Sequence, residues 1–401
     1  MVALLRLLLA HVAYGVILAA ATDGVLPLRL VWLARRVTSF DAGTTLADRF
    51  RAHSQAIAAS HAPSPLYAEL MSRMADDLDA GGVVSRICRG WEGSPSGSVV
   101  QLRLLGGLHR MVLRGDVPEL AAYYRTAGGT LDASTVWPVA HQVLTARADE
   151  LADALAIAPQ TNEPGRSAAL LTGVLHAVRH SGLSRVRLLE VGASGGLNLL
   201  VDRFRFEGSD WAHGPVDSAL VLRDAVRGPV QQPFPSWSVV ERRGCDLEPV
   251  DVWSPEGRLR LRSFVWPDHV DRFQRLDAAL EVAERAGSGA VEVDRAPAGE
   301  WLEQRLPERS ALPALTVVWQ SITRLYWPAE EVERVRAVVR RWGREVPLAH
   351  VSMEYEDDDA GAVLSADVWP GDGSPPQRRR LAVVADHGVP VRLTSGTHLG
   401  G

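Results

Sequence analysis

The sequence predicts an α/β protein: a helical N-terminal region, then a doubly wound, mostly parallel sheet of seven strands that ends in an antiparallel edge hairpin. Three observations predict this. From Thr45 to about Ser181, apolar residues recur at helical spacing without alternation of period two. At Arg185 the texture changes to a short apolar run, Val186 to Val191, that ends in glycines and is followed by another apolar stretch, which reads as strand, turn and helix. Beyond it, apolar runs and helical patterns alternate, as strand and crossover helix do in a parallel sheet.

Taken in order, residues 1–44 come first. Leu7 to Thr22 is almost wholly apolar with Arg6 ahead of it, but His11 interrupts the run, and sixteen residues are few for a membrane span. A non-native extension, a signal or membrane-associated segment and an ordinary helix all fit, and any membrane contact is expected through residues 1–35 alone. Residues 45–181 form the helical domain. Leu66, Leu70, Met74 and Leu78 mark one helical face, and Leu102, Leu105, Leu108 and Val112 mark another. Gly81-Gly82, Gly93 to Gly97, Gly128-Gly129 and Pro159 to Gly165 mark the loops. In the α/β domain, residues 182–401, further strands are expected at Ser238–Glu241, Ala290–Val293, Leu315–Trp319, Leu348–Met353, Ala362–Val368 and Leu381–Ala385. Helices are expected at Asp271–Ala286, Trp301–Leu306 and Ala329–Trp342. The last two strands are joined only by the Pro/Gly-rich turn Pro370–Pro376, which makes them a hairpin.

Composition narrows the chemistry. The chain has 401 residues, 46% of them hydrophobic, and all 43 basic residues are arginine. Without lysine, a Schiff-base enzyme, a Walker A nucleotidase, a protein kinase and a Ser/Lys hydrolase are excluded in their usual forms. A net charge of −5 with interspersed signs lacks the footprint of a nucleic-acid binder. Cys88 and Cys245 are too few and too distant for a disulfide framework or a zinc knuckle; no metal is expected, and a cytoplasmic protein with free thiols is.

The turn after the first strand carries most of the functional signal. Glu190-Val191-Gly192-Ala193-Ser194-Gly195-Gly196 lies where an open α/β sheet binds ligands, at a strand's carboxyl end. It resembles the first motif of class I S-adenosylmethionine-dependent methyltransferases. In that reading Glu190, Gly192, Ser194 and Gly196 hold cofactor, the glycines admitting close backbone approach and the carboxylate orienting an ammonium. Gly192→Val is then expected to block the crevice without unfolding the sheet. The same residues satisfy Gly-x-Ser-x-Gly, a hydrolase nucleophile turn, with Ser194 as nucleophile and His387 as base. Glycines that merely permit tight strand–helix packing are a third reading.

Further positions follow from the methyltransferase reading. Asp246, in Gly244-Cys245-Asp246-Leu247-Glu248-Pro249, is the candidate for the ribose hydroxyls, and Asp294 ends the next strand toward adenine. Asn162, Glu163 and Arg166 in the linking segment, with Asn198, Gln320 and His387, form the candidate substrate side. No catalytic residue is assigned, because methyl transfer from a sulfonium can proceed by proximity and orientation. The acceptor is an unspecified small molecule. The alternatives are a serine hydrolase and a non-catalytic binding protein of the same fold.

Over roughly Ala47 to Leu393 the chain resembles the bacterial domain-of-unknown-function family 2332. The matching stretches are Ser64-Pro65-Leu66-Tyr67, Gln160 to Arg166, Leu189 to Leu200, Gly244 to Pro249, Val265-Trp266-Pro267-Asp268, Trp369-Pro370-Gly371 and Asp386-His387-Gly388. The resemblance implies a helical region followed by a methyltransferase-like, Rossmann-like fold, and it carries no established activity. Gln320 stands where that family tends to have histidine, and Gly195 where it has alanine.

Overall fold

The computed structural model describes residues 44–400 except 61, 309–312 and 357–360, so the expectations for residues 1–43 fall outside the described part. The chain divides into two compact units. One comprises the residues up to Leu105 and Val117–Ile157, the other Gly106–Asp116 and Ala158 to the C-terminus.

Among its described residues the first unit is helical: α1 (Leu46–Ala58), α2 (Pro65–Asp79), α3 (Val83–Ile87), the start of α4 (Val100–Arg114), α5 (Pro118–Ala121), α6 (Trp137–Ala146) and α7 (Ala148–Ala154). Local chemistry sets the starts. Thr45 and Asp48 form a reciprocal capping box at α1, and Pro65 occupies the first turn of α2, where its missing N–H costs nothing. Leu66, Leu70 and Met74 are fully buried, as their four-residue spacing requires.

The second unit holds the sheet. Its strands are β1 (Arg185–Val191), β2 (Arg205–Glu207), β3 (Ala212–His213), β4 (Val221–Arg223), β5 (Val226–Arg227), β6 (Ser238–Asp246), β7 (Glu292–Arg295), β8 (Leu315–Ser321), β9 (Leu348–Tyr355), β10 (Ala362–Trp369), β11 (Gln377–Val384) and β12 (Val391–Leu393). The main sheet has nine strands in the order β5-β12-β11-β10-β9-β8-β1-β6-β7, not the seven expected. The additional strands, β5 and β12, have two and three residues, too few to display an alternation that sequence can reveal. Strands β2, β3 and β4 form a separate small sheet from the stretch between β1 and β6.

The block from β7 to β9 is parallel throughout, and β10 and β11 follow as the antiparallel hairpin. β8 is buried at every position, as a central strand covered on both faces must be. On one face lie α8 (Ser167–Ser181) and α10 (Val270–Ala286), sharing a core with Val186, Leu188, Val317, Trp319 and Val351. α8 approaches so closely that a Cβ on Gly173 would lie 2.2 Å from Val351 Cγ1. On the other face, α11 (Ala298–Arg305) and α12 (Ala329–Gly343) pack on Leu189, Val191, Cys245 and Val318. α9 (Pro255–Ser263) adds Leu261 to the first core.

From β1 the chain moves outward through β6 to β7, then returns to the other side of β1 for β8 and β9. This reversal is a topological switch point, and it places a crevice beyond the carboxyl ends of β1 and β8. After the glycine turn the chain forms a 3-10 stretch, Leu197–Arg203, broken at Leu200, rather than the expected α-helix. Five consecutive residues, Leu197 to Val201, are buried there, so the segment has no polar face to present as an amphipathic helix. No helix of the described residues is long and apolar enough to cross a membrane.

Candidate functional site

β1 delivers Glu190 on the sheet face covered by α8, and the chain then turns sharply. Gly192 and Gly196 have φ of +70° and +73°, and Ser194 shares the left-handed region at +54°. The turn is tied to β6, with the amides of Gly192 and Ala193 both donating to Cys245 O at 2.9 and 3.0 Å. A Cβ on Gly192 would lie 2.4 Å from Thr323 Cγ2, and one on Gly196 would lie 2.6 Å from Val291 Cγ1. Packing and φ thus account for both glycines without a ligand. Against the expectation that Gly192→Val leaves the sheet intact stand both a clash and an unfavourable φ for valine there.

Asp246 ends β6 beside this turn. Its Oδ2 accepts from Ser194 N at 2.9 Å, and its Oδ1 from Glu248 N at 2.9 Å and from Gln160 Nε2 at 3.4 Å. The side chain therefore fixes the turn in which the candidate cofactor residues lie.

Glu190 is only 2% exposed. Its Oε1 accepts from Asn198 Nδ2 at 3.4 Å, while Oε2 has no hydrogen-bond partner. Burial pushes the carboxyl up to about 8, against the pull of the Asn198 amide, the Arg166 guanidinium and the nearby Trp319 indole; the Asp246 carboxylate adds to the rise. Asn198 is oriented by the Ser167 hydroxyl, which donates to its Oδ1 at 2.8 Å. Asn162 Oδ1 accepts from Leu197 N at 3.0 Å, and Arg166 Nη1 donates to Ser321 O at 3.2 Å. Among the buried polar atoms without a hydrogen bond within the protein are four of the crevice residues: Glu190 Oε2, Ser194 Oγ, Arg166 Nε and Trp319 Nε1. Such atoms are uncommon in folded proteins, and here they include donors and acceptors.

Glu163 adjoins the site but is saturated. Arg272 Nε and Arg275 Nε donate to it at 2.8 and 3.0 Å, and its own loop amide, Gly165 N, at 3.1 Å. Burial opposes ionisation, yet Arg272, Arg275 and His387 overcome it and hold the carboxyl down at about 2. His387 Nδ1 stands 4.0 Å from Glu163 Oε2, and burial together with the Arg272 guanidinium pushes the imidazole down to about 3. Ser194 Oγ is hydrogen-bonded to no histidine.

Two further candidates face away from the crevice. Asp294 is opposite Cys245 in the ladder and accepts from Trp301 Nε1 at 2.7 Å and Arg305 Nη2 at 3.0 Å, on the α11 face. Gln320 follows Trp319 by one residue and so points to the α12 face, where its Nε2 donates to Glu354 Oε1 at 2.8 Å. The crevice accordingly gathers Glu190, Gly192, Ser194, Gly196, Asp246, Asn162, Arg166 and Asn198. It also gains Trp319, which sequence reasoning misses because an indole inside an apolar strand reads as core. Among the described residues, no group of three His, Cys, Asp or Glu side chains is placed to hold a metal ion.

No curated protein matches this chain. A family model described as an uncharacterized protein conserved in bacteria, DUF2332, matches residues 47–392, which take in the turn, the linking segment and all of the main sheet except the last residue of β12. The chain belongs to the DUF2332 family.

Proposed function

We propose that the second unit is a methyltransferase-like domain that binds S-adenosylmethionine and acts on a small molecule. The observation that carries the reading is Glu190. It is a buried carboxyl at the carboxyl end of the strand beside the switch point, with one oxygen unpartnered and its proton held up to about 8. An acceptor in that position suits the ammonium of an amino-acid moiety. The parallel order β7-β6-β1-β8-β9 supports it, because this arrangement puts nucleotide ligands at the break between β1 and β8.

In this reading Glu190, the Ser194 hydroxyl and the turn at Gly192 and Gly196 hold the amino-acid end. Asp246 stands toward the ribose, sharing its carboxylate with Ser194 N. Asn162, Arg166 and Asn198 line the acceptor side. The cofactor supplies an activated methyl group on sulfur, and the protein supplies orientation and exclusion of water. The pocket beside Gln160–Pro164 has a volume of only about 10 Å3, room for about one water and far below the roughly 300–1,000 Å3 of sites that bury drug-sized ligands. Binding therefore requires the Gln160–Arg166 segment to part from the turn.

Calorimetric titration of the full chain with S-adenosylhomocysteine tests this without knowledge of the acceptor. Micromolar binding is expected, with close to one proton released near neutral pH as Glu190 ionises against the ammonium, and the release should vanish in Glu190→Gln. A folded protein that fails to bind refutes the reading. Binding without proton release refutes the role of Glu190.

A further inference from the structure

A second polar pocket lies on the opposite face of the sheet, between the ends of β8 and β9 and helix α12. It is small, about 30 Å3 or room for one or two waters, and is lined by Gln320, Arg324, Trp327, Arg336, His350 and Glu354 among others. Glu354 is 3% exposed and its two oxygens are treated very unequally. Oε1 accepts from Gln320 Nε2, Thr323 N, Thr323 Oγ1 and Arg324 N at 2.8 to 3.3 Å. Oε2 accepts no hydrogen bond, and the nearest cation, Arg324 Nε, is 3.9 Å away, beyond hydrogen-bond reach. Four donors on one oxygen fix the carboxylate rigidly, leaving the other as a buried acceptor at the pocket.

The pocket also carries two guanidiniums. Arg324 uses Nη2 on Tyr355 O, and Arg336 uses Nη1 on Glu333 at the surface, so each keeps further N–H groups. His350 adds no charge, because burial pushes its imidazole down to about 4. A simple anion would meet the Glu354 carboxylate, and a simple amine would meet both arginines; each is opposed by like charge. A ligand that carries both signs satisfies both sets, and it enters as the half-exposed Arg336 side chain swings aside from the small space seen in the structure.

We infer that this pocket binds a small zwitterion of the amino-acid class, its ammonium on Glu354 Oε2 and its carboxylate on Arg324 and Arg336, with the side chain toward Trp327. The inference stands apart from the methyl-donor reading, because Gln320 and Glu354 lie on the α12 face while Glu190 lies on the α8 face.

The test is calorimetric titration of the full chain with each of the proteinogenic amino acids, and with butylamine and butyrate as single-charge controls. At least one amino acid should bind saturably and both controls should fail. Glu354→Gln, which keeps the Oε1 acceptor and places a donor at Oε2, should weaken binding by about tenfold or more. Arg336→Met, at a half-exposed position whose one ion pair is with the exposed Glu333, should do the same even if the Glu354 variant does not fold. Failure of every amino acid to bind the folded protein overturns the inference. So does equal binding of butyrate, or binding unchanged in Arg336→Met. Loss of S-adenosylhomocysteine binding with amino-acid binding retained would remove only the cofactor reading.

Discussion

Glu190→Gln tests the electrostatics of the crevice directly. In the folded protein the Glu190 carboxyl keeps its proton up to about 8, whereas in the unfolded chain it titrates near the ordinary 4.5. Below 4.5 both states are protonated and the group contributes nothing to the pH dependence. Between 4.5 and about 8 the unfolded state loses a proton that the folded state retains, so stability falls as pH rises. At about 1.4 kcal/mol per pH unit, that interval corresponds to roughly 5 kcal/mol of stability lost by pH 8. Glutamine keeps the acceptor for Asn198 and has no titration. Urea unfolding of both proteins at several values from about pH 5 to pH 8 should therefore show the wild type losing ground to Glu190→Gln steadily with pH. Comparing the two cancels the contributions of all other groups. A difference flat across that range would refute the reasoning, and so would a wild type that gains stability with pH, since that would mean Arg166 outweighs burial.

The opposite sign is expected at Glu163, whose carboxyl is held down at about 2: its stabilisation is present above 4.5 and is lost as pH falls from there toward 2. Glu163→Gln leaves Arg272 and Arg275 buried without their anion and should cost about 3–5 kcal/mol, read as a lowered thermal midpoint at neutral pH. Gly192→Val should lower the thermal midpoint or abolish soluble expression, because valine is strained at φ +70° and its Cβ meets Thr323; a midpoint equal to wild type would contradict the packing described. Ser194→Gly should stabilise by about 1 kcal/mol in urea unfolding. It relieves about 1–2 kcal/mol of left-handed strain and costs about 0.5–1 kcal/mol of added unfolded-chain entropy.

The parallel core was legible because buried strands announce themselves locally: Val186 to Val191 and Leu315 to Trp319 are apolar runs bounded by turn residues, and both form strands where expected. The glycine turn was legible too, since its positive φ values at Gly192 and Gly196 belong to the residues that tolerate them. β5 and β12 were not. β12 is a strand because Val391–Leu393 pair with β11, and β5 because Val226 and Arg227 pair with Val391 and Arg392, far away in the chain. The helix expected after Gly196 fails for a related reason, since burial on all sides of Leu197 to Val201 is imposed by neighbours that the local pattern does not name.

Glu163 and Glu190 show where sequence stops. Both are buried glutamates in polar, functional-looking segments, and nothing in their local sequence separates them. Arg272 and Arg275, 109 and 112 residues away from Glu163, hold one as an anion. Glu190, buried with no guanidinium in hydrogen-bond contact and only the Asn198 amide and the Trp319 indole beside it, keeps its proton. Periodicity and turn chemistry act over a few residues, so the sequence by itself determined the long helices, the core strands and the site of the turn. Charge state, and the face on which Gln320 or Asp294 points, depend on strand register and on partners brought together from distant parts of the chain; only the tertiary structure decided them.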